Sequence, residues 1–407
     1  MPASSYQPVQ RPAGPKGRGV PRLVAVLALT QTVGYGVLSY AFAVLLPPMA
    51  ADLRVSPAVV AGAYTTSVVT AAAAAVPVGR WLDRHGGRAL MTGGSALGVA
   101  AVVAWSQVRT AWQLYAVFAV IGVAMAASLY EAAFPVLIAA AGPAGRDRAL
   151  VAVTIVAGFS SSVFFPLTGR LLEHLTWRAT LLVLAALLAA TAVPAHLWAV
   201  PGRRAHVAAA HGHAGPPPGE ALRDARFWLL AAAFVAQGAA TSAVGVLLVA
   251  YLRHAGQPAT TAATLSGLLG ILSVTGRVAT AGAARRHGMT AVTAVVFAIQ
   301  ALGAALLPFA AGSVGWAALC VTGFGLGFGV ATIARPAVLA DRYGAHGYAT
   351  IAAAMSVPVT LAKAGAPLAG AAIGIGGFLP WVAGACLVAA VLLGAVPGRR
   401  GNGPARR

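Results

Sequence analysis

The sequence predicts an all-α membrane protein of twelve transmembrane helices in two pseudo-symmetric six-helix bundles, and three observations carry that prediction. The first is composition: of 407 residues, 59% are hydrophobic and only 9% charged, with a mean hydropathy of +0.81, a balance foreign to water-soluble globular domains. The second is spacing. A hydrocarbon core about 30 Å thick takes roughly 20 apolar residues to cross as a helix, and the chain reads as six such runs, a polar break, and six more. The third is an echo between the halves. Arg84-His85-Gly86 recurs as Arg286-His287-Gly288, and Gln31 of the first run has a counterpart in Gln237 of the seventh, as two parallel bundles would leave in sequence.

In chain order, residues 1–20 are rich in Pro, Gly and polar side chains, with Arg11, Lys16 and Arg18 ahead of the first apolar run. They read as a disordered cytoplasmic tail, and the run that follows is too long for a signal peptide. The N-terminal bundle, 21–200, holds spans at about 21–46, 57–78, 89–107, 111–140, 149–172 and 179–199. Residues 201–225 form a polar linker with Pro216-Pro217-Pro218 and the acidic Glu220 and Asp224. Its His206, His211 and His213 have no carboxylate or cysteine in ligand register, so a solvated linker is preferred and no metal is expected. The C-terminal bundle, 226–398, holds spans at about 227–251, 258–280, 289–310, 313–339, 348–374 and 379–397, and a short cytoplasmic tail occupies 399–407. Cys320 and Cys386 sit inside apolar runs and read as small hydrophobes.

Charge sets the orientation. Loops on one side hold arginines 80, 84, 88, 146, 148, 203, 204, 223, 226, 285, 286 and 342, whereas the other side holds chiefly Arg54, Arg109, Arg178 and Arg253. By the positive-inside rule both termini and the linker face the cytoplasm, in the cell membrane. The formal charge of +20 is thus explained by topology and anionic lipid headgroups rather than by nucleic acid. A monomer is expected.

The densest charge in the first half is Gly79-Arg80-Trp81-Leu82-Asp83-Arg84-His85-Gly86-Gly87-Arg88. Each such charge costs roughly 2.5–3.5 kcal/mol at a bilayer centre, so the stretch is an aqueous turn. Gly79 ends a helix and allows close backbone approach, Gly86 permits positive φ, and Asp83 can pair with Arg84 or Arg88 or accept from a helix N-terminus. A bland alternative is a solvated turn that only sets topology. The Gly-x-x-x-Asp-Arg-x-Gly-x-Arg spacing resembles the signature loop between the second and third helices of the major facilitator superfamily of secondary transporters. That resemblance implies two bundles rocking about a midplane site. It also implies a gating latch of Gly79, Asp83, Arg84, Gly86 and Arg88, in which Asp83 faces the backbone near Tyr348 to Thr350 and holds the cytoplasmic side shut. In the second copy Arg285 stands for Asp83 and Ala281 for Gly79, so the latch is asymmetric.

Ionisable residues within spans are costly and mark function by default. Glu131 is the one carboxylate well inside a span; Arg277, Lys363 and Arg335 are the basic candidates, and Lys363 is the only lysine besides Lys16. Helix counting puts Glu131 and Arg277 at similar depth, where they could pair. Lys363 would then be unmatched, and a bound anion would relieve its desolvation. Arg335, beside Pro336, reads as snorkelling to the headgroups. Basic residues at similar places bind substrate carboxylate in the branch that includes monocarboxylate porters and oxalate–formate exchangers, and Arg277 and Lys363 resemble that pair. Ser273 departs from the porters' acidic partner one turn before the arginine, and the first span lacks their acidic start. Glu131 is the candidate proton-coupling residue, because burial and a neighbouring arginine together set its protonation. Gln31, Tyr35, Tyr130 and Gln237 complete the expected cavity. Gly323, Gly325, Gly327 and Gly329 alternate within an apolar span and serve helix packing rather than nucleotide binding.

The expected function is therefore secondary transport of a small, carboxylate-like organic anion, coupled to protons or to exchange. Drug or cation efflux on the same fold is the alternative, although the fifth span reads Ala157-Gly158-Phe159 and reaches Pro166 without the Gly-Pro and double-Gly pattern of proton-antiport efflux proteins. The sequence holds no HExxH, GxSxG or phosphate loop, so neither enzyme chemistry nor a cofactor is expected.

Overall fold

A computed structural model describes residues 19–203 and 216–396. Residues 1–18 of the tail expected at 1–20, the three linker histidines and the tail at 399–407 lie outside the described residues, while Gly19 and Val20 already belong to the first helix. Among the described residues, twelve long helices and no strands are found. They are α1 Gly19–Asp52, α2 Pro57–His85, α3 Gly87–Ser106, α4 Ala111–Pro143, α5 Gly145–His174, α6 Trp177–Ala199, α7 Ala225–His254, α8 Thr264–His287, α9 Met289–Ala310, α10 Val314–Tyr343, α11 Tyr348–Ile373 and α12 Phe378–Gly394. All but α12 are long and apolar enough to cross a membrane, and α12 is a shorter apolar helix.

Local chemistry places the ends. Pro57 occupies the first turn of α2 and Ser56 Oγ accepts from the Val59 amide at 3.4 Å; Thr176 Oγ1 caps α6 through Ala179 at 3.2 Å, and Asp224 caps α7 through Arg226 at 3.0 Å. Gly86, at φ +79°, makes the turn into α3. Gly79, expected to end a helix, lies inside α2, which continues to His85. The reason is that charge stops the membrane and not the helix, whose backbone bonds are internal and persist into water.

Four spans are interrupted near mid-length. In α1 a π-helical stretch covers Gly36–Tyr40; α4 breaks at Leu129, with φ −92° and ψ −155°; α5 breaks at Phe159; α10 breaks at Gly329 and Val330. Such breaks, in both halves, are where transporter folds build binding sites.

The apolar interior falls into three large clusters. One, at the end bearing the first turns of α1 and the last of α12, draws on both halves: Leu23, Leu82 and Leu137 pack in the same cluster as Phe227, Leu339 and Ile351. At the opposite end each half keeps its own: Phe42, Trp105, Phe118 and Leu181 in the first, Leu252, Leu265, Phe324 and Phe378 in the second. The halves are joined at one end by a common core and have separate cores at the other.

Candidate functional site

The joined end is fastened by polar contacts between α2 and α11. Asp83 Oδ1 accepts from the Ala349 amide at 3.1 Å, and Oδ2 accepts from the Thr350 amide at 2.9 Å and from Thr350 Oγ1 at 2.6 Å. These amides belong to the first turn of α11, so the carboxylate also meets the positive end of the helix dipole. The helices approach closely enough that a Cβ on Gly79 would lie 2.6 Å from the Ala349 carbonyl oxygen. Beside them, buried Arg146 at the head of α5 forms an ion pair with Asp341 of α10. Within the second half, Tyr343 Oη donates to Asp224 at 3.1 Å and Arg342 stands 3.5 Å away. Burial works to raise the Asp224 pKa, but the Arg226 amide, Tyr343 and Arg342 outweigh it and hold the carboxyl below the usual range.

Toward the middle of the spans lies Glu131, in the first turn after the α4 break. Its Oε1 accepts from Ser356 Oγ of α11 at 3.3 Å and lies 3.8 Å from Arg335 Nη2 of α10. Its ion-pair partner is therefore Arg335 and not Arg277, and Arg335 is partly buried across the interface, not reaching for headgroups. The arrangement has a symmetry that was legible: Glu131-Ala-Ala-Phe-Pro135 and Thr332-Ile-Ala-Arg-Pro336 follow equivalent breaks in α4 and α10. Aligning the prolines sets Arg335 at the position of Phe134, one turn along the helix from that of Glu131.

A cavity of about 140 Å³ opens beside Glu131, with Tyr35, Ser356 and Thr360 as its other polar wall and Val68, Ala71, Ala72 and Ala75 of α2 as its apolar one. Tyr35 packs on Tyr130 with ring centroids 4.8 Å apart, and Tyr130 stacks on Phe134 at 4.5 Å. Ser356, Thr360 and Lys363 follow at i, i+4 and i+7 on one face of α11. Lys363 is exposed, its stem lies along Gly238 of α7, and its own carbonyl accepts from Ser242 Oγ at 2.6 Å. Among the described residues its ammonium has no hydrogen-bond or ion partner, while the charges of Arg335 and Glu131 act on it. Two cations, Arg335 and Lys363, thus bear on one carboxylate.

Arg277 is otherwise engaged. Its Nε donates to the Gly329 carbonyl at 3.1 Å, Nη1 to the Thr154 carbonyl at 2.8 Å and Nη2 to Ser273 Oγ at 3.1 Å. Gly329 lies at the α10 break and Thr154 in the opposite half, on α5, so the guanidinium bridges the bundles. Gly158 and Gly329 leave it room: a Cβ at either would meet the guanidinium, at 3.1 and 2.6 Å.

Gln31 and Gln237, expected in the cavity, lie elsewhere. Both are buried, 0% and 1% exposed. Gln31 Nε2 donates to the Ser128 carbonyl at 3.0 Å; Gln237 Nε2 donates to Gln300 Oε1 at 3.3 Å, and Gln300 Nε2 to the Phe324 carbonyl at 3.0 Å. Through its NH2 each ties its own bundle to a broken helix, α4 or α10, while the Oε1 of Gln31 and of Gln237 has no partner among the described residues. Ser356 and Thr360 were missed as cavity residues and Arg335 as the partner of Glu131; the polar i, i+4, i+7 stripe on α11 was the available signal for the first two.

A family model described as Major Facilitator Superfamily matches residues 27–367. No curated protein gives a significant match. Among solved structures, the chain is similar to the human organic anion transporter MFSD10 (TETRAN), at 15% identity and TM-score 0.72, over 93% of this chain and 100% of that one. It is also similar to the E. coli fucose:proton symporter FucP, at 15% and 0.71 over 93% and 99%. A bacterial homologue of the iron transporter ferroportin in an outward-facing state gives 17% and 0.71 over 93% and 98%. At these identities the likeness is one of fold.

Proposed function

Because the chain belongs to the Major Facilitator Superfamily of transporters, we propose that it moves a small organic anion bearing a carboxylate across the cell membrane by alternating access. The observation that carries this reading is the ammonium of Lys363, without a partner among the described residues and one turn beyond the cavity-lining Thr360 on α11, near a carboxylate that already has Arg335. An ammonium without a partner is free to receive a carboxylate in a charge-assisted hydrogen bond. The small cavity and its alanine wall suit a small substrate. Neighbours of the same fold named for an organic anion, fucose and iron make the fold itself neutral about cargo.

Positive charge gathers at the joined end, which we take as cytoplasmic, with both termini on that side. The described state then has its cytoplasmic gate shut and its cleft facing outward. Glu131 is the proton-coupling group: a carboxylate substrate that draws Arg335 away leaves Glu131 without its counter-ion and promotes proton uptake. Arg277 cannot bind substrate with the donors it spends on Thr154 and Gly329, so Lys363 is the first anchor.

The deciding experiment is thermal stabilisation of the purified chain by a panel of mono- and dicarboxylates beside cationic drugs, repeated with Lys363→Ala. Ligands that bind only the folded state raise Tm by mass action. Stabilisation by a carboxylate that disappears in the variant is expected. Stabilisation by cations alone, unchanged by Lys363→Ala, would replace this reading with cation efflux.

A further inference from the structure

The outer end, opposite the joined one, carries a matched pair of turns with one mismatch. Where α1 runs out, the amides of Leu53, Arg54 and Val55 donate to the carbonyls of Met49, Ala51 and Ala50; where α7 runs out, those of Ala255, Gly256 and Gln257 donate to Tyr251, Arg253 and Leu252. The two turns agree bond for bond. Each takes a positive φ at its middle residue, which is Gly256 at +90° in the second half but Arg54 at +54° in the first. Glycine adopts that conformation freely, whereas a residue with a Cβ is strained in it. Arg54 is also one of the few arginines on the side that the positive-inside rule keeps poor in them. It is exposed, and among the described residues its guanidinium has no ion-pair partner. A side chain held against both preferences points to work done by its charge.

The register of α2 on α11 shows where that charge can act. Gly79 abuts Ala349 and Ala353, and farther along Ala75, Ala72 and Val68 line the cavity with Ser356 and Thr360, so each step back along α2 is matched by a step forward along α11. Carried to the outer end, this register sets Pro57, the first residue of α2, level with Ile373, the last of α11, and Arg54 just beyond it. There the halves keep separate cores, so the two ends are free to approach. Beyond residue 225 the one carboxylate is Asp341, which lies at the joined end, so a cation crossing at the outer end meets helix termini instead. The α7 terminus has Arg253 and His254 of its own, and Gln257 Nε2 donates to the Ala311 carbonyl after α9 at 2.7 Å. The α11 terminus has no basic residue in its last turn, and of its last four carbonyls only that of Ala371 receives a donor among the described residues, from the Gly374 amide at 3.1 Å. It is a negative pole with room for a cation. We propose that Arg54 is an outer latch: when the joined end opens and the outer ends close, its guanidinium docks on the C-terminal carbonyls of α11, as Asp83 docks on the N-terminal amides of the same helix. This rests on alternating access, whatever the cargo.

Spin labels at Trp112→Cys and Trp316→Cys, 70% and 64% exposed at the outer ends of α4 and α10, read the distance between the halves in the purified full chain without substrate, Cys320 and Cys386 being replaced by alanine. In an Asp83→Asn background, which frees the joined end, a shorter distance should appear. Adding Arg54→Gly should cut the ratio of short to long distances roughly tenfold, as expected for removing a cation from a helix C-terminus. Arg54→Lys should keep most of the short population, and Arg109→Gln, at an exposed arginine of the same end, should leave it unchanged. Glycine at position 54 takes the conformation of Gly256 without strain, so the Tm of Arg54→Gly should hold or rise; a fall would make Arg54 a prop of its own turn and not a latch. No short distance in any variant would overturn the rocking and the latch with it. A short distance that Arg54→Gly leaves intact, or that Arg109→Gln reduces as much, would overturn the latch alone.

Discussion

Lys363 and Glu131 divide the work of the proposed site, and each makes its own prediction. Truncating Lys363 to alanine removes one charge-assisted hydrogen bond to a carboxylate, worth about 1.5–3 kcal/mol, so the Kd of a carboxylate measured by calorimetry should rise roughly ten- to hundredfold. The ligand-free melting temperature should hold or increase, because the lysine has no partner to lose. Glu131→Gln keeps an acceptor for Ser356 but cannot take up a proton. Uptake into proteoliposomes across a pH series should lose its pH dependence in that variant; a profile identical to wild type would remove Glu131 from coupling. At this scale the sequence was a partial guide. It identified Glu131, Arg277, Arg335 and Lys363, because ionisable residues in apolar runs stand out, and it estimated their depth by counting along each helix, but it put Arg146 in a loop where the structure buries it. It did not give the rotation of each helix about its axis, which is why Arg277 was set against Glu131 when Arg335 holds that place, and why Gln31 and Gln237 were set in the cavity.

Among the elements, the seam between α2 and α11 decides which end is shut. Asp83→Asn keeps one acceptor oxygen and loses the charge, weakening the latch by about 1–3 kcal/mol, a roughly ten- to hundredfold shift in the gate equilibrium. Transport should fall while substrate-induced thermal stabilisation persists; abolished binding would mean that Asp83 serves the site itself. Gly79→Val tests the same seam sterically, since its Cβ would sit 2.6 Å from the Ala349 oxygen. The α2–α11 approach should open, seen as greater alkylation of a cysteine at Thr350 from the joined side. The turn at Gly86 was readable because its cause is local, a positive φ between two helices. The helix boundary at Gly79 was misread because polarity was taken for an end. The breaks in α4 and α10 left little local signal beyond Pro135, Pro336 and Gly329, and the contacts that stabilise them come from other helices.

For the whole molecule, twelve spans in two halves were legible from periodic apolar runs and one polar interruption, since the bilayer fixes span length. The conformational state was not, because it depends on which core is shared. One common core at the joined end and two separate cores opposite predict that Lys363→Cys reacts with a membrane-impermeant thiol reagent from the side away from the termini, and that a bound carboxylate protects it. The same division of cores bears on assembly. Each half, made alone, would carry one completed core and one apolar face with nothing to cover it, both faces at the same end. Two polypeptides, 1–203 and 216–407, produced together should find each other through those faces and co-purify, whereas either fragment made singly should be degraded as an orphan.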